Sequence, residues 1–172
     1  RRGREFVCDY VSGRQLFCDW EREEPVDLVI TRVGAEREAR PIYTPARFLP
    51  AARVHDSRID HALIGDGAYL DTCQVQSSVV GIRMSIRRGS QITRSILLGA
   101  DFYEEAATDP PLGVGLDADL DPTIVDKHAR IGDGARLVNE RGIENADGDG
   151  YFIRGGIIIV PKGGVVKPGT VV

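Results

Sequence analysis

The sequence predicts an all-β protein whose main body is a parallel β-helix built from six-residue repeats, behind an irregular N-terminal extension. Three observations predict it. Aliphatic residues recur every six positions from residue 54 onward, apolar–glycine pairs return every 16–18 residues, and a proline-rich segment separates this region from a differently composed start.

Residues 1–40 hold eight arginines, no lysine, nine acidic residues and two of the three cysteines. The apolar clusters Phe6-Val7, Tyr10-Val11 and Leu16-Phe17 fit short strands or one irregular helix, with no clean period. Residues 41–53 read as a linker. Pro41, Pro45 and Pro50 enforce extended backbone and forbid a helix interior.

Residues 54–172 carry the repeat. Ile64 and Leu70 begin it; Val80, Ile86, Ile92 and Leu98 follow, then Val125, Ile131, Leu137 and Ile143, then Val160, Val166 and Val172. The pairs Ile64-Gly65, Val80-Gly81, Leu98-Gly99, Val114-Gly115 and Ile131-Gly132 are spaced by 16, 18, 16 and 17 residues. Three six-residue steps thus close one coil. Stacked coils pair their backbones at about 4.8 Å and turn their aliphatic side chains to a common axis. Glycine suits the corners, where positive φ is needed. An antiparallel meander, with Asp66-Gly67 and Asp133-Gly134 as hairpin turns, is the competing reading. The return of register after each coil favours the solenoid; the pattern does not set its handedness. Residues 101–122 and 139–150 interrupt the repeat and read as projecting loops, where binding groups tend to sit.

The formal charge is −4, with a pI near 5.4. This argues against nucleic acid or an anionic membrane as a partner, and no stretch approaches the length of a membrane span. Cys8, Cys18 and Cys73 lack zinc-site spacing and read as reduced thiols of a cytoplasmic protein. The start at Arg1 points to a piece of a longer chain.

Four strings are specific. Pro41-Ile42-Tyr43-Thr44 with Arg47-Phe48-Leu49-Pro50 resembles the inter-domain linker of glucose-1-phosphate adenylyltransferases (ADP-glucose pyrophosphorylases). Leu97-Leu98-Gly99-Ala100-Asp101-Phe102-Tyr103-Glu104, Ile124-Val125-Asp126-Lys127-His128-Ala129-Arg130-Ile131-Gly132 and Asp149-Gly150-Tyr151-Phe152-Ile153-Arg154 resemble three further family stretches in the same order. The resemblance covers 41–172. It implies a left-handed parallel β-helix, the hexapeptide-repeat solenoid that forms the C-terminal domain of that enzyme. It implies a role in regulation and in a homotetramer, packed on the catalytic domain of the same enzyme. The whole enzyme joins ATP and glucose 1-phosphate with Mg²⁺ to give ADP-glucose and pyrophosphate, which serves glycogen or starch synthesis. Residues 1–40 depart from the family.

The family's glycine- and arginine-rich nucleotide loop does not occur in this chain, so no catalytic residue, metal or cofactor is expected in it, and the chain alone is expected to be inactive. By resemblance, Lys127 and Lys162 map onto two lysines that help bind an anionic sugar-phosphate effector, with Arg154 assisting and Arg47 a weaker candidate. An ammonium is a compact phosphate partner and a guanidinium grips two oxygens. The plain alternative is a set of solvated surface charges.

His55, His61 and His128 raise the question of a zinc site or an acyl-transfer base, but coil spacing keeps His61 and His128 roughly 19 Å apart at one strand spacing per coil. They are expected at the surface or at corners, and Cys73 in packing. Asp101, Glu104 and Glu105 are expected to be solvated loop acids. The functional alternatives are a stand-alone hexapeptide-repeat acyltransferase and a ligand-free assembly module.

Overall fold

A computed structural model describes residues 5–10, 14–19, 48–104 and 108–172. The chain divides into two units, Arg1–Pro45 and Ala46–Val172. In the first, strands β1 (Glu5–Tyr10) and β2 (Arg14–Asp19) pair antiparallel. Cys8 lies opposite Leu16 and Cys18 opposite Phe6, so the two cysteines are not cross-strand partners.

The second unit is a stack of three-stranded coils. The first coil is β3 (Arg53–His55), β4 (Arg58–Asp60) and β5 (Leu63–Ile64). Next come β6 (Tyr69–Asp71), β7 (Gln74–Gln76) and β8 (Val79–Val80), then β9 (Ser85–Ile86), β10 (Gln91–Thr93) and β11 (Ile96–Leu97). The fourth coil is β12 (Gly113–Val114), β13 (Asp119–Asp121) and β14 (Thr123–Val125). The fifth has β15 (Arg130–Ile131) and β16 (Arg136–Val138), then β17 (Asn145–Asp147) and β18 (Phe152–Arg154), and closes with β19 (Ile157–Val160). β20 (Val165–Val166) opens a last coil.

Strands of successive coils pair in parallel. The first sheet runs β3-β6-β9-β12-β15-β20, the second β4-β7-β10-β13-β16, and the third β5-β8-β11-β14-β19. This excludes the meander. Asp66-Gly67 and Asp133-Gly134 are corners between parallel strands, not hairpin turns, and Gly67 and Gly134 have φ of 71° and 65°. Non-glycine residues also take the left-handed conformation at corners: Asp56, Thr72 and Asp117 on one edge, His61, Ser77 and Arg94 on the next, Arg83 and His128 on the third.

The core is an axial column of small and branched side chains. Leu70, Val75, Val80, Ile86, Ile92, Leu97, Val114, Leu120, Val125, Ile131, Leu137, Val160 and Val166 are all at most 1% exposed. Two predicted members are wrong. Leu97, not Leu98, points inward: Leu97 aligns with Val80 and Val125, and Leu98 is half-buried. The second-to-third-sheet step spans five residues, as from Val75 to Val80, so a strict six-residue period overshoots by one. Ile143 also leaves the column, because it sits in an insertion and packs against the core from its side.

The two interruptions are real, with different limits. The first ends earlier than expected: β12 resumes the coil at Gly113, so the inserted segment is 98–112. The second runs from 139 to 156 and is not all loop, because β17 and β18 extend the third sheet antiparallel beyond β19.

Where strands break at corners, buried hydroxyls replace the ladder. The Ser95 N–H donates to Ser78 Oγ at 3.0 Å and the Thr123 N–H to Ser95 Oγ at 3.0 Å, one coil after another. These side chains are at most 1% exposed, and an unpaired backbone amide there would be costly.

The register yields a test. Leu97→Ala should cost about 2–5 kcal/mol in urea unfolding, as a large-to-small change in a packed column does, and Leu98→Ala less than about 1 kcal/mol. Equal losses would contradict this assignment of the inward face.

Candidate functional site

The third corner, from the third sheet to the first, collects the predicted lysines. Val125 pairs with Val160, so Lys127 and Lys162, each two residues further on, hold equivalent positions on stacked coils. The Gly163 N–H donates to the Lys127 carbonyl at 2.8 Å, which locks the two corners together. They are 35 residues apart in sequence, one coil plus the 139–156 insertion, and stacking of the two coils sets them side by side.

Their side chains differ. Lys162 is exposed, and among the described residues no ion pair to it forms. Lys127 is 2% exposed, and its Nζ donates to Asp101 Oδ1 at 2.5 Å. The other carboxylate oxygen of Asp101 lies 3.1 Å from His128 Nε2. Lys127 chiefly holds the Asp101 carboxyl below its usual range; burial opposes this and His128 adds to it. The His128 ring stacks on Phe102, with centroids 4.5 Å apart and planes 17° from parallel. Its Nδ1 is buried and makes no hydrogen bond among the described residues, so the tautomer with the proton on Nε2 suits this site.

The described parts of the insertion, 98–104 and 108–112, therefore fold back on the corner. Asp101 and Glu104, expected to be solvated loop acids, are the groups that anchor them. Glu104 pairs with Arg130 Nη1 at 2.5 Å and accepts the Leu112 N–H at 3.0 Å and the Thr108 hydroxyl at 2.5 Å. Arg130 also donates to the Pro110 carbonyl at 3.0 Å. Burial alone would raise the Glu104 carboxyl, but Leu112, Thr108 and Arg130 outweigh it and bring it from 4.5 to about 2. The sequence gives no local sign of these pairs, since their partners lie 26 residues apart. Glu105 lies outside the described residues.

Arg154 does not join the lysines. It sits opposite Ile157 at the start of β19, whereas Lys162 follows the end of that strand, about 10 Å away at the usual rise per residue. Its guanidinium is spent on the β17–β18 hairpin: it donates to the Ala146 carbonyl at 2.9 Å and to Asp147 Oδ1 at 2.5 Å, and lies over the Phe152 ring. Arg47 lies outside the described residues.

His55 is exposed on β3 and His61 at a different corner of the same coil, so the histidines do not converge with His128. Among the described residues no cluster of His, Cys, Asp or Glu fits a metal ion. Cys73 is buried beside Ser57 Oγ at 3.5 Å, and burial pushes its thiol up, away from a nucleophile's range.

The fold agrees with one comparison. The family model described as the GLGC left-handed parallel β-helix domain matches residues 47–171. The chain belongs to this family. That domain is the C-terminal β-helix of glucose-1-phosphate adenylyltransferase, and the match supplies the left hand of the coil.

Two expectations follow from the anchors. Glu104 is held below its ordinary 4.5, so its contribution to stability is complete above that pH and is lost as the pH falls towards about 2. Glu104→Gln should flatten the drop of the urea midpoint across that window; an unchanged acid slope would refute it. Asp101→Asn should destabilise by about 1.5–3 kcal/mol, the cost of a lost hydrogen bond to a charged partner, and Lys127→Met should recover part of the loss in the double variant, read in the same unfolding assay. A strictly additive double variant would show that the two side chains are not coupled.

Proposed function

We propose that this chain is the C-terminal regulatory and assembly portion of a glucose-1-phosphate adenylyltransferase, completed by a catalytic domain that binds ATP, Mg²⁺ and glucose 1-phosphate. Its third corner takes part in binding an anionic sugar-phosphate effector, and its coils help form a homotetramer in the cytoplasm. Family membership supports the first statement. The observation that carries the second is the stacking of Lys127 and Lys162 at equivalent positions, one coil apart.

The physical reading is a competition for charge. Lys127 already holds an anion, the Asp101 carboxylate, in a buried ion pair. Lys162, one coil above, is exposed and offers the first contact for an incoming phosphate. A dianionic group has more charge than a carboxylate and more acceptor oxygens, so it competes for Lys127 and releases Asp101 together with the 98–112 segment. Arg154 remains with its hairpin in this reading, and the effector relies on the two lysines. The distance between sites and chemistry is then bridged by a discrete segment with two positions, as a switch requires.

In the complete enzyme, Lys162→Ala should raise the sugar-phosphate concentration needed for half-maximal activation by about tenfold, the cost of one charge-assisted contact, with unactivated turnover unchanged. Activation by sugar phosphates and phosphoglycerate that is indifferent to both Lys162→Ala and Lys127→Ala would remove the corner from the effector site. The isolated chain should form no ADP-glucose from ATP and glucose 1-phosphate above a buffer control, and product formation would overturn the division of labour.

A further inference from the structure

The outer face of the first sheet carries a second basic feature, far along the stack from the lysine corner. Register aligns Arg53 with Tyr69 and Tyr69 with Ser85, and Gly113 sits beside Ser85 on the next coil. Outward side chains in this row shrink from a guanidinium and a phenol to a hydroxymethyl. A trough opens where they become small. Gly113, with φ of 97°, is buried against the Ser85 backbone and does not itself line the trough. Tyr103, Glu104 and Leu112 of the insertion wall the other side, giving a groove of about 310 Å³. That is near the lower end of small-molecule sites.

Three arginines line it: Arg53, Arg83 and Arg87. Arg53 lies over the Tyr69 ring at 5.3 Å and Arg83 over the Tyr103 ring at 5.6 Å, which orients both cations at the groove without neutralising them. Arg83 also donates to the Ala100 carbonyl at 3.4 Å. Among the described residues, none of the three forms an ion pair with a carboxylate. Two acids on this face have other partners. Glu104 is saturated by Arg130, Thr108 and Leu112. Asp71, the cross-coil neighbour of Arg87, accepts from Thr72 at 3.0 Å and lies 3.1 Å from His55 Nδ1. A concave site with three half-buried or exposed arginines, whose lining carboxylate Glu104 is already paired with Arg130, is complementary to a polyvalent anion, and guanidinium groups favour phosphate oxygens.

We propose that this groove is a separate site for a small phosphate ester, with the phosphate held among Arg53, Arg83 and Arg87 and the remainder of the ligand lying between Tyr69 and Tyr103. It does not depend on the effector reading of the corner. The groove is built on the first three coils and the corner on the fourth and fifth. The insertion touches both, through Tyr103 and Glu104 on one side and Asp101 on the other.

Calorimetric titration of the 172-residue chain with glucose 1-phosphate and with inorganic phosphate, at fixed ionic strength, tests this. Glucose 1-phosphate should bind more tightly than inorganic phosphate. The Arg53→Ala/Arg87→Ala double variant should weaken it by about tenfold or more, whereas Lys162→Ala should leave it unchanged. Both arginines are on the outer face, and an unaltered urea midpoint would show that the variant folds; Arg87→Glu alone provides a second reading of the same contact. No binding of either compound by the unsubstituted chain, or equal binding by the double variant, overturns the site. Inorganic phosphate binding as tightly as glucose 1-phosphate overturns the ester. Loss of binding in Lys162→Ala but not in the arginine variants moves the ligand to the corner and overturns the groove.

Discussion

Every coil must satisfy its backbone with the coil above and below, and this single demand organises the molecule. The strands are two to four residues long, too short to hold together alone. They persist because the next coil repeats the same hydrogen bonds in the same register. That register then dictates side-chain columns: aliphatics on the axis, hydroxyls at the breaks, charges at equivalent outer positions. Where the backbone must bend and cannot pair with its own neighbours, Ser78 and Ser95 supply the missing acceptors. The lysine corner and the arginine groove are both products of stacking, since neither brings together residues that are close in sequence.

The fold was readable because its signal is redundant. Six-residue steps and apolar–glycine pairs recur along the chain, so one misplaced residue does not hide the period. The error at Leu98 shows the limit of that signal. Two adjacent leucines are equally apolar, and only pairing with Val80 and Val125 tells which faces inward. Likewise, the end of the first insertion was masked because Gly113-Val114 sits among prolines and glycines that read as loop. The hydroxyl row had a visible sign, a Ser or Thr two residues before the inward residue in Ser78-Val79-Val80, Ser95-Ile96-Leu97 and Thr123-Ile124-Val125, but a small polar residue carries little weight before the register is known.

The site was readable in position and not in environment. Stacking arithmetic places Lys127 beside Lys162, yet nothing local tells that one side chain is buried and the other exposed. That difference comes from Asp101, delivered by an inserted segment whose path depends on tertiary contacts. Arg154 illustrates the converse. Its motif is clear, but the antiparallel hairpin that holds it turns it to Asp147 and away from the lysines. The arginine groove left no motif, because it arises from a small side chain at Ser85 next to large neighbours on adjoining coils.

The β17–β18 hairpin has a further consequence. A stack of identical rungs has no intrinsic length: its last strand is as good a template as its first, and another copy could continue it end to end. The hairpin covers β19, and the outermost strand, β17, is a short edge that presents Asn145 and Asp147 at its rim, where a charge discourages a newcomer. The hairpin thus acts as a terminator for the third sheet, built into the polypeptide itself, and keeps a self-propagating architecture finite at that end.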